Sequence, residues 1–195
     1  MVTAATQQAT VAAEPERYRF TVEEYHRMGE TGILGPEARV ELIDGDIVTM
    51  SPIGFRHADI VTNLSHLFVD RRASRFRVST QNPLEISERS EFQPDLVLVK
   101  GDEPLGHHPS PADVVLVVEV SDTTLRCDLN VKLPRYARAR VPEVWIVDVG
   151  RDAIERFTGP KDDGAFERHD RFGRDDEIQS ATLPDLRVRV REAIR

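Results

Sequence analysis

The chain has 195 residues, 39% hydrophobic and 31% charged, with a net charge of −8 at pH 7. That length and balance suit one soluble domain with a real core, and the acidic surface excludes nucleic-acid binding through bulk positive charge. No apolar stretch approaches the roughly 20 residues of a membrane span, and a lone cysteine, Cys127, leaves no intrachain disulfide, which favours a reducing cytoplasm.

Residues 1–17 are rich in Ala, Thr and Gln and lack the basic start and apolar centre of a signal peptide, so they read as a disordered tail before one domain over 18–195. Thr21-Val22-Glu23-Glu24 fits a capping box and predicts a short helix ending near Gly29. Val40 to Ile43, Asp44-Gly45, then Asp46 to Met50 reads as a hairpin, because Asp-Gly is a favoured two-residue turn. A helix is predicted from about His57 to Arg72, with Ile60, Val61, Leu64, Leu67 and Phe68 at helical spacing. Arg75 to Gln81 reads as a strand, and Leu84 to Ser87 as a second short strand or a bent continuation of it. The apolar runs Leu96 to Val99 and Val114 to Val118 read as buried strands, joined by a loop containing Pro104, Pro109 and Pro111. A helix is predicted between Asn130 and Arg140. Pro134 demands that it start near Val131 or Lys132, or be distorted there. Val144 to Val149 is another buried strand, and short strands with polar turns follow from Ile154.

Asp95 precedes one buried run and Glu119 closes the next. A carboxylate in low dielectric without a partner protonates, pairs or binds a metal. If the two strands are antiparallel neighbours, the beginning of one lies beside the end of the other and the two acids meet at one sheet edge. The chain then enters the helix bearing Lys132. Two acids and a lysine suit a Mg²⁺ or Mn²⁺ site that cleaves phosphodiesters: hard oxygens hold the ion, which acts as a Lewis acid, and the ammonium orients or deprotonates water or stabilises phosphate charge. The same residues also suit a structural ion pair between Glu119 and Lys132, with Asp95 as a turn or cap and Asp128–Lys132 as an exposed i, i+4 pair.

Other constellations carry less. His107-His108 lies in a Pro-rich loop with no partner at zinc spacing. Ser121, His57 and Asp95 lack a nucleophile elbow, no Gly-rich phosphate loop is present, and Cys127 has no activating base nearby. Three basic clusters (Arg71, Arg72, Arg75, Arg77; Arg135, Arg138, Arg140; and Arg187, Arg189, Arg191, which alternate on a C-terminal strand) could touch phosphate or simply form solvated faces.

The order Pro94-Asp95, Glu119-Val120-Ser121, Asp128 and Lys132 resembles the PD-(D/E)XK nuclease superfamily, and within it the Uma-type restriction endonuclease family. Val40 to Gly45, Met50-Ser51-Pro52, His57, Tyr136 and Val141 to Asp148 extend the resemblance from about Tyr18 to Val190. It implies an α/β restriction-endonuclease-like core, a mixed, mainly antiparallel central sheet flanked by helices. It further implies a metal on Asp95 and Glu119 with the Val120 carbonyl as third ligand, and DNA as substrate. Ser121 stands where the superfamily usually places its lysine, and the resemblance to the Uma-type branch implies that Lys132 supplies that group from the following helix. Glu41 and His57 match family positions and complete the candidate catalytic set, Glu41 by orienting water or binding a second metal, or else by facing outward. Duplex cleavage would favour a homodimer. The competing functions are a metal-dependent hydrolase of RNA or another phosphoester, and a non-catalytic interaction module on the same fold.

Overall fold

The computed structural model describes residues 16–72, 75–101 and 103–195. The expected N-terminal tail therefore lies outside the described residues except for Glu16 and Arg17. Helix α1 (Val22–Glu30) opens with the capping box, Thr21 Oγ1 accepting from Glu24 N at 3.2 Å while Glu24 Oε2 accepts from Thr21 N at 2.9 Å. Strands β1 (Val40–Ile43) and β2 (Asp46–Thr49) form the hairpin. Its turn has φ of 49° at Asp44 and 82° at Gly45, the left-handed pair a primed turn requires. A Cβ at Gly45 would also stand 2.7 Å from Arg19 Cβ.

Helix α2 (Phe55–Arg71) buries Ile60, Val61, Leu64 and Phe68. It is followed by β3 (Phe76–Thr80), β4 (Leu84–Ser87), β5 (Ser90–Phe92), β6 (Leu96–Lys100) and β7 (Val114–Ser121). Strand β4 does not continue β3. It pairs with β5 in a small sheet of order β2-β1-β5-β4. After β7 a continuous helical run comprises α3 (Leu125–Cys127), a π turn (Asp128–Lys132) and α4 (Leu133–Arg138). The run starts earlier than Pro134 suggested. The π turn accommodates that proline: Leu133 N–H reaches back to Asp128 O, five residues away, and Pro134 then falls in the first turn of α4, where its missing N–H costs least.

Strands β8 (Glu143–Asp148), β9 (Ala153–Pro160), β10 (Phe166–Phe172), β11 (Glu177–Gln179) and β12 (Arg187–Arg189) and helix α5 (Val190–Ala193) complete the chain. The C-terminal strand ends at Arg189, so Arg191 lies on α5 and does not share a strand face with Arg187 and Arg189. The chain turns helical there to bury Val190, Ala193 and Ile194 in the core beside α2.

The main sheet has the order β10-β9-β8-β7-β6-β3. Only β7 and β8 pair in parallel, joined by the helical run; the other pairs are antiparallel. This is an α/β fold with a mixed, mostly antiparallel central sheet flanked by helices. Side-chain alternation splits the core in two. Leu96, Leu98, Leu116, Val118 and Trp145 pack on α2, while Val97, Val99, Val117 and Ile146 pack on Leu133 and Tyr136 of α4 and on Leu84 and Phe92 of the small sheet. The central strands read as continuous apolar runs because both of their faces are covered.

Candidate functional site

Strands β6 and β7 run antiparallel with Leu96 opposite Val118. Asp95, just before β6, and Glu119 therefore meet at one sheet edge, as expected for antiparallel neighbours. Pairing with β6 stops at that point, and the last residues of β7 pair only with β8. The freed Val120 N–H donates to Asp95 Oδ2 at 2.8 Å. A strand residue directs its N–H and C=O to the same side, so the Val120 carbonyl faces the edge occupied by Asp95. On the other carboxylate oxygen, Asp95 Oδ1 lies 2.8 Å from His57 Nε2 and accepts from Gln81 Nε2 at 3.4 Å.

Lys132 arrives on the π turn. Its Nζ donates to Glu41 Oε1 at 2.9 Å and stands 3.3 Å from Glu119 Oε1. Glu41 comes from β1, an inner strand of the small sheet, and points inward; the outward reading of this residue is wrong, because its carboxylate is buried against Lys132 of the helical run. The same Oε1 accepts from Gln93 N at 2.7 Å. Tyr136, one turn beyond Lys132, donates its hydroxyl to Glu119 Oε1 at 2.5 Å. Asp128 accepts from Ser121 Oγ at 2.7 Å and Thr124 Oγ1 at 2.6 Å, so it is not half of an exposed helix pair. Glu41, His57, Asp95, Glu119, Asp128 and Lys132 line a cavity of about 590 Å³. Exposures are 8% for Asp95, 3% for Glu119, 6% for Glu41, 4% for Asp128 and 7% for Lys132.

Such burial shifts protons. Desolvation pushes the Glu119 carboxyl up to about 8; Lys132 pulls it down, while Asp128, Asp95 and Glu41 push further up. Burial alone would lower the Lys132 ammonium, but Glu119, Glu41 and Asp128 outweigh it and hold the pKa above its ordinary value. The hydrogen bond to Asp95 raises His57 above the ordinary imidazole value, against burial. One expected consequence concerns stability. Between the ordinary Glu value of 4.5 and about 8, the unfolded chain has lost the Glu119 proton while the folded chain keeps it. Stability then falls as pH rises through this window. Thermal melts of the metal-free protein should show this decline, and Glu119→Gln should flatten it. Parallel pH profiles for wild type and variant would refute the shift.

Residues 22–191 match the model of the Uma2 family, described as "Putative restriction endonuclease". The chain belongs to the Uma2 family. A crystal structure from Anabaena variabilis, described as "a putative nuclease belonging to DUF820", is similar over 90% of this chain and 97% of that one, with a TM-score of 0.68 and 11% sequence identity. At that identity the likeness speaks for a shared fold. No curated protein matches the chain. Uma2 membership supports a nuclease-type hydrolase in general terms.

Within this Uma2 chain the groups at the sheet edge that could hold a metal are hard oxygens (the Asp95 and Glu119 carboxylates and the Val120 carbonyl), the ligand type Mg²⁺ and Mn²⁺ prefer. Among the described residues no three His, Cys, Asp or Glu side chains stand together as a metal cluster. All five sequence candidates, Asp95, Glu119, Lys132, Glu41 and His57, line the same cavity. Tyr136 and Gln81 also touch the two acids. Tyr136 had a signal, since i+4 spacing from Lys132 puts it on the same helix face. Gln81 had none, because it reaches Asp95 from beyond the end of a different strand. No described helix is long and apolar enough to cross a membrane.

Proposed function

We propose that this protein is a metal-dependent DNA endonuclease that hydrolyses phosphodiester bonds. One observation carries the reading: four buried carboxylates, Glu41, Asp95, Glu119 and Asp128, line one cavity with a single buried ammonium, Lys132. A cluster with that excess of negative charge in low dielectric must take up protons or a cation. Asp95, Glu119 and the Val120 carbonyl would hold Mg²⁺ or Mn²⁺, which supplies Lewis acidity toward a phosphoryl oxygen and toward water. Lys132, held as an ammonium between Glu41 and Glu119, donates hydrogen bonds to phosphate oxygens and orients the attacking water. As a cation it is not the base. Glu41 positions Lys132, and His57 and Gln81 orient Asp95. Two cuts on a duplex call for two such sites, and a homodimer provides them.

The test is calorimetry with Mn²⁺ and Mg²⁺, followed by cleavage of plasmid and of equal amounts of RNA in the same metal. Metal binding that vanishes in Asp95→Ala with Glu119→Ala, together with DNA cleavage abolished by chelator, is the expected result. A folded wild type that binds no metal even beside a DNA duplex would refute it and leave an interaction module. NMR titration of His57 supplies an independent reading. A cation on Asp95 draws that carboxylate's charge away from the imidazole, so the His57 pKa should fall when Mg²⁺ is added. An unchanged pKa at saturating metal would place the ion elsewhere.

A further inference from the structure

We propose that Arg39 and Arg126 grip the phosphate backbone of the substrate strand at the mouth of the cavity. This rests on the endonuclease reading and names two positioning residues for it. A polyanion approaching a recessed cluster of carboxylates meets repulsion unless cations stand in its path. Among the described residues the cavity is lined by three always-cationic side chains, Lys132, Arg39 and Arg126. Lys132 is already bound between Glu41 and Glu119. Arg39 and Arg126 are exposed, and neither side chain makes an ion pair or hydrogen bond with another described residue.

The basic clusters visible in the sequence are placed differently. Arg71 pairs with Glu192, Arg75 with Asp185, Arg135 with Asp44 and Arg140 with Asp162. Their charges are matched locally by acids, and none of these four lines the cavity. Arg39 and Arg126 instead come from two separate elements, the residue preceding β1 and the short helix α3, on the walls that also carry Glu41 and Asp128. A guanidinium matches phosphate in bidentate fashion. Two of them beside the acids would hold successive phosphates and set the scissile one over Asp95 and Glu119.

The experiment measures binding of a fluorescent DNA duplex by anisotropy in Ca²⁺ over a range of salt, for wild type, Arg39→Gln, Arg126→Gln, the double variant and Arg168→Gln. Arg168 is an exposed control on β10, outside the cavity lining. Each phosphate contact contributes about 0.9 to the slope of log affinity against log salt. The slope should therefore flatten by about that amount for each cavity arginine removed and stay unchanged for Arg168→Gln, while Mn²⁺ affinity and melting temperature match wild type in every variant. A double variant with the wild-type slope, in a protein that binds both DNA and metal, overturns the clamp and spares the endonuclease reading. A wild type that binds metal but no DNA overturns both.

Discussion

Replacing Asp95 with asparagine should lower DNA cleavage by about a thousandfold, because a metal-stabilised transition state is worth several kcal/mol, while the fold survives. Asparagine keeps the shape and one carbonyl oxygen. That oxygen can still accept from Val120 N, the 2.8 Å bond that closes the end of β7. The amide nitrogen then faces His57 and needs an unprotonated Nε2 to accept from it, so the raised imidazole pKa should return toward its ordinary value. The stability cost should be about 1 kcal/mol, the scale of one altered hydrogen bond. The two readouts separate the competing accounts of Asp95. A catalytic carboxylate loses rate and metal affinity with little change in melting temperature. A purely structural cap loses neither rate nor metal, and a folded Asp95→Asn that cleaves at the wild-type rate would establish that account instead.

Much of this site was legible because it depends on strand order. Two apolar runs, each with an acid at the matching end, bring those acids together once the strands pair antiparallel, and Leu96 opposite Val118 is that pairing. The Asp-Gly turn and the helical spacing of α2 were equally local signals. Glu41 was harder. Strand β1 is covered on both faces, with Glu41, Leu42 and Ile43 all buried, so alternation marks no outward side. The inward pointing of Glu41 depends on the small sheet docking, and nothing local encodes that. Strand β5, Ser90–Phe92, is three residues long and begins with two polar ones, too short to show a period. The π turn left one trace, Pro134, whose meaning emerges only with Leu133 bonded to Asp128.

Burial of a carboxylate was itself an incomplete guide, as Glu143 shows. It is fully buried, yet it accepts five hydrogen bonds, from Trp145 Nε1, Ser180 Oγ, Ala181 N, Thr182 N and Thr182 Oγ1, and clasps the 180–182 turn to the sheet. Glu119 has only the Tyr136 hydroxyl and the Lys132 ammonium. An acid saturated by neutral donors is structural, whereas an acid left short of them can still take a cation.

The same deficit makes Lys132→Met the substitution with the largest expected effect on stability. Methionine fills a similar volume, so little cavity forms, but Glu41 and Glu119 lose the one cation between them. Removing one partner of a buried pair typically costs about 3 to 5 kcal/mol, because the remaining charge stays buried. Here the cost should depend on pH. Near pH 5 Glu119 already carries a proton, and the loss reflects mainly Glu41 and its bond to Gln93 N. Above about 8 wild-type Glu119 ionises beside the Lys132 ammonium, whereas the variant has no cation to offset that charge, so the penalty grows. Melting temperatures of wild type and variant should therefore diverge as pH rises, and a second substitution, Glu41→Gln, should restore much of the loss. The coupling in that double-mutant cycle measures the interaction itself. Additive effects of Lys132→Met and Glu41→Gln would show that the ammonium is not what offsets the buried acids. Added Mg²⁺ should also stabilise Lys132→Met more than wild type, since a divalent cation on Glu119 and Asp95 replaces the missing charge.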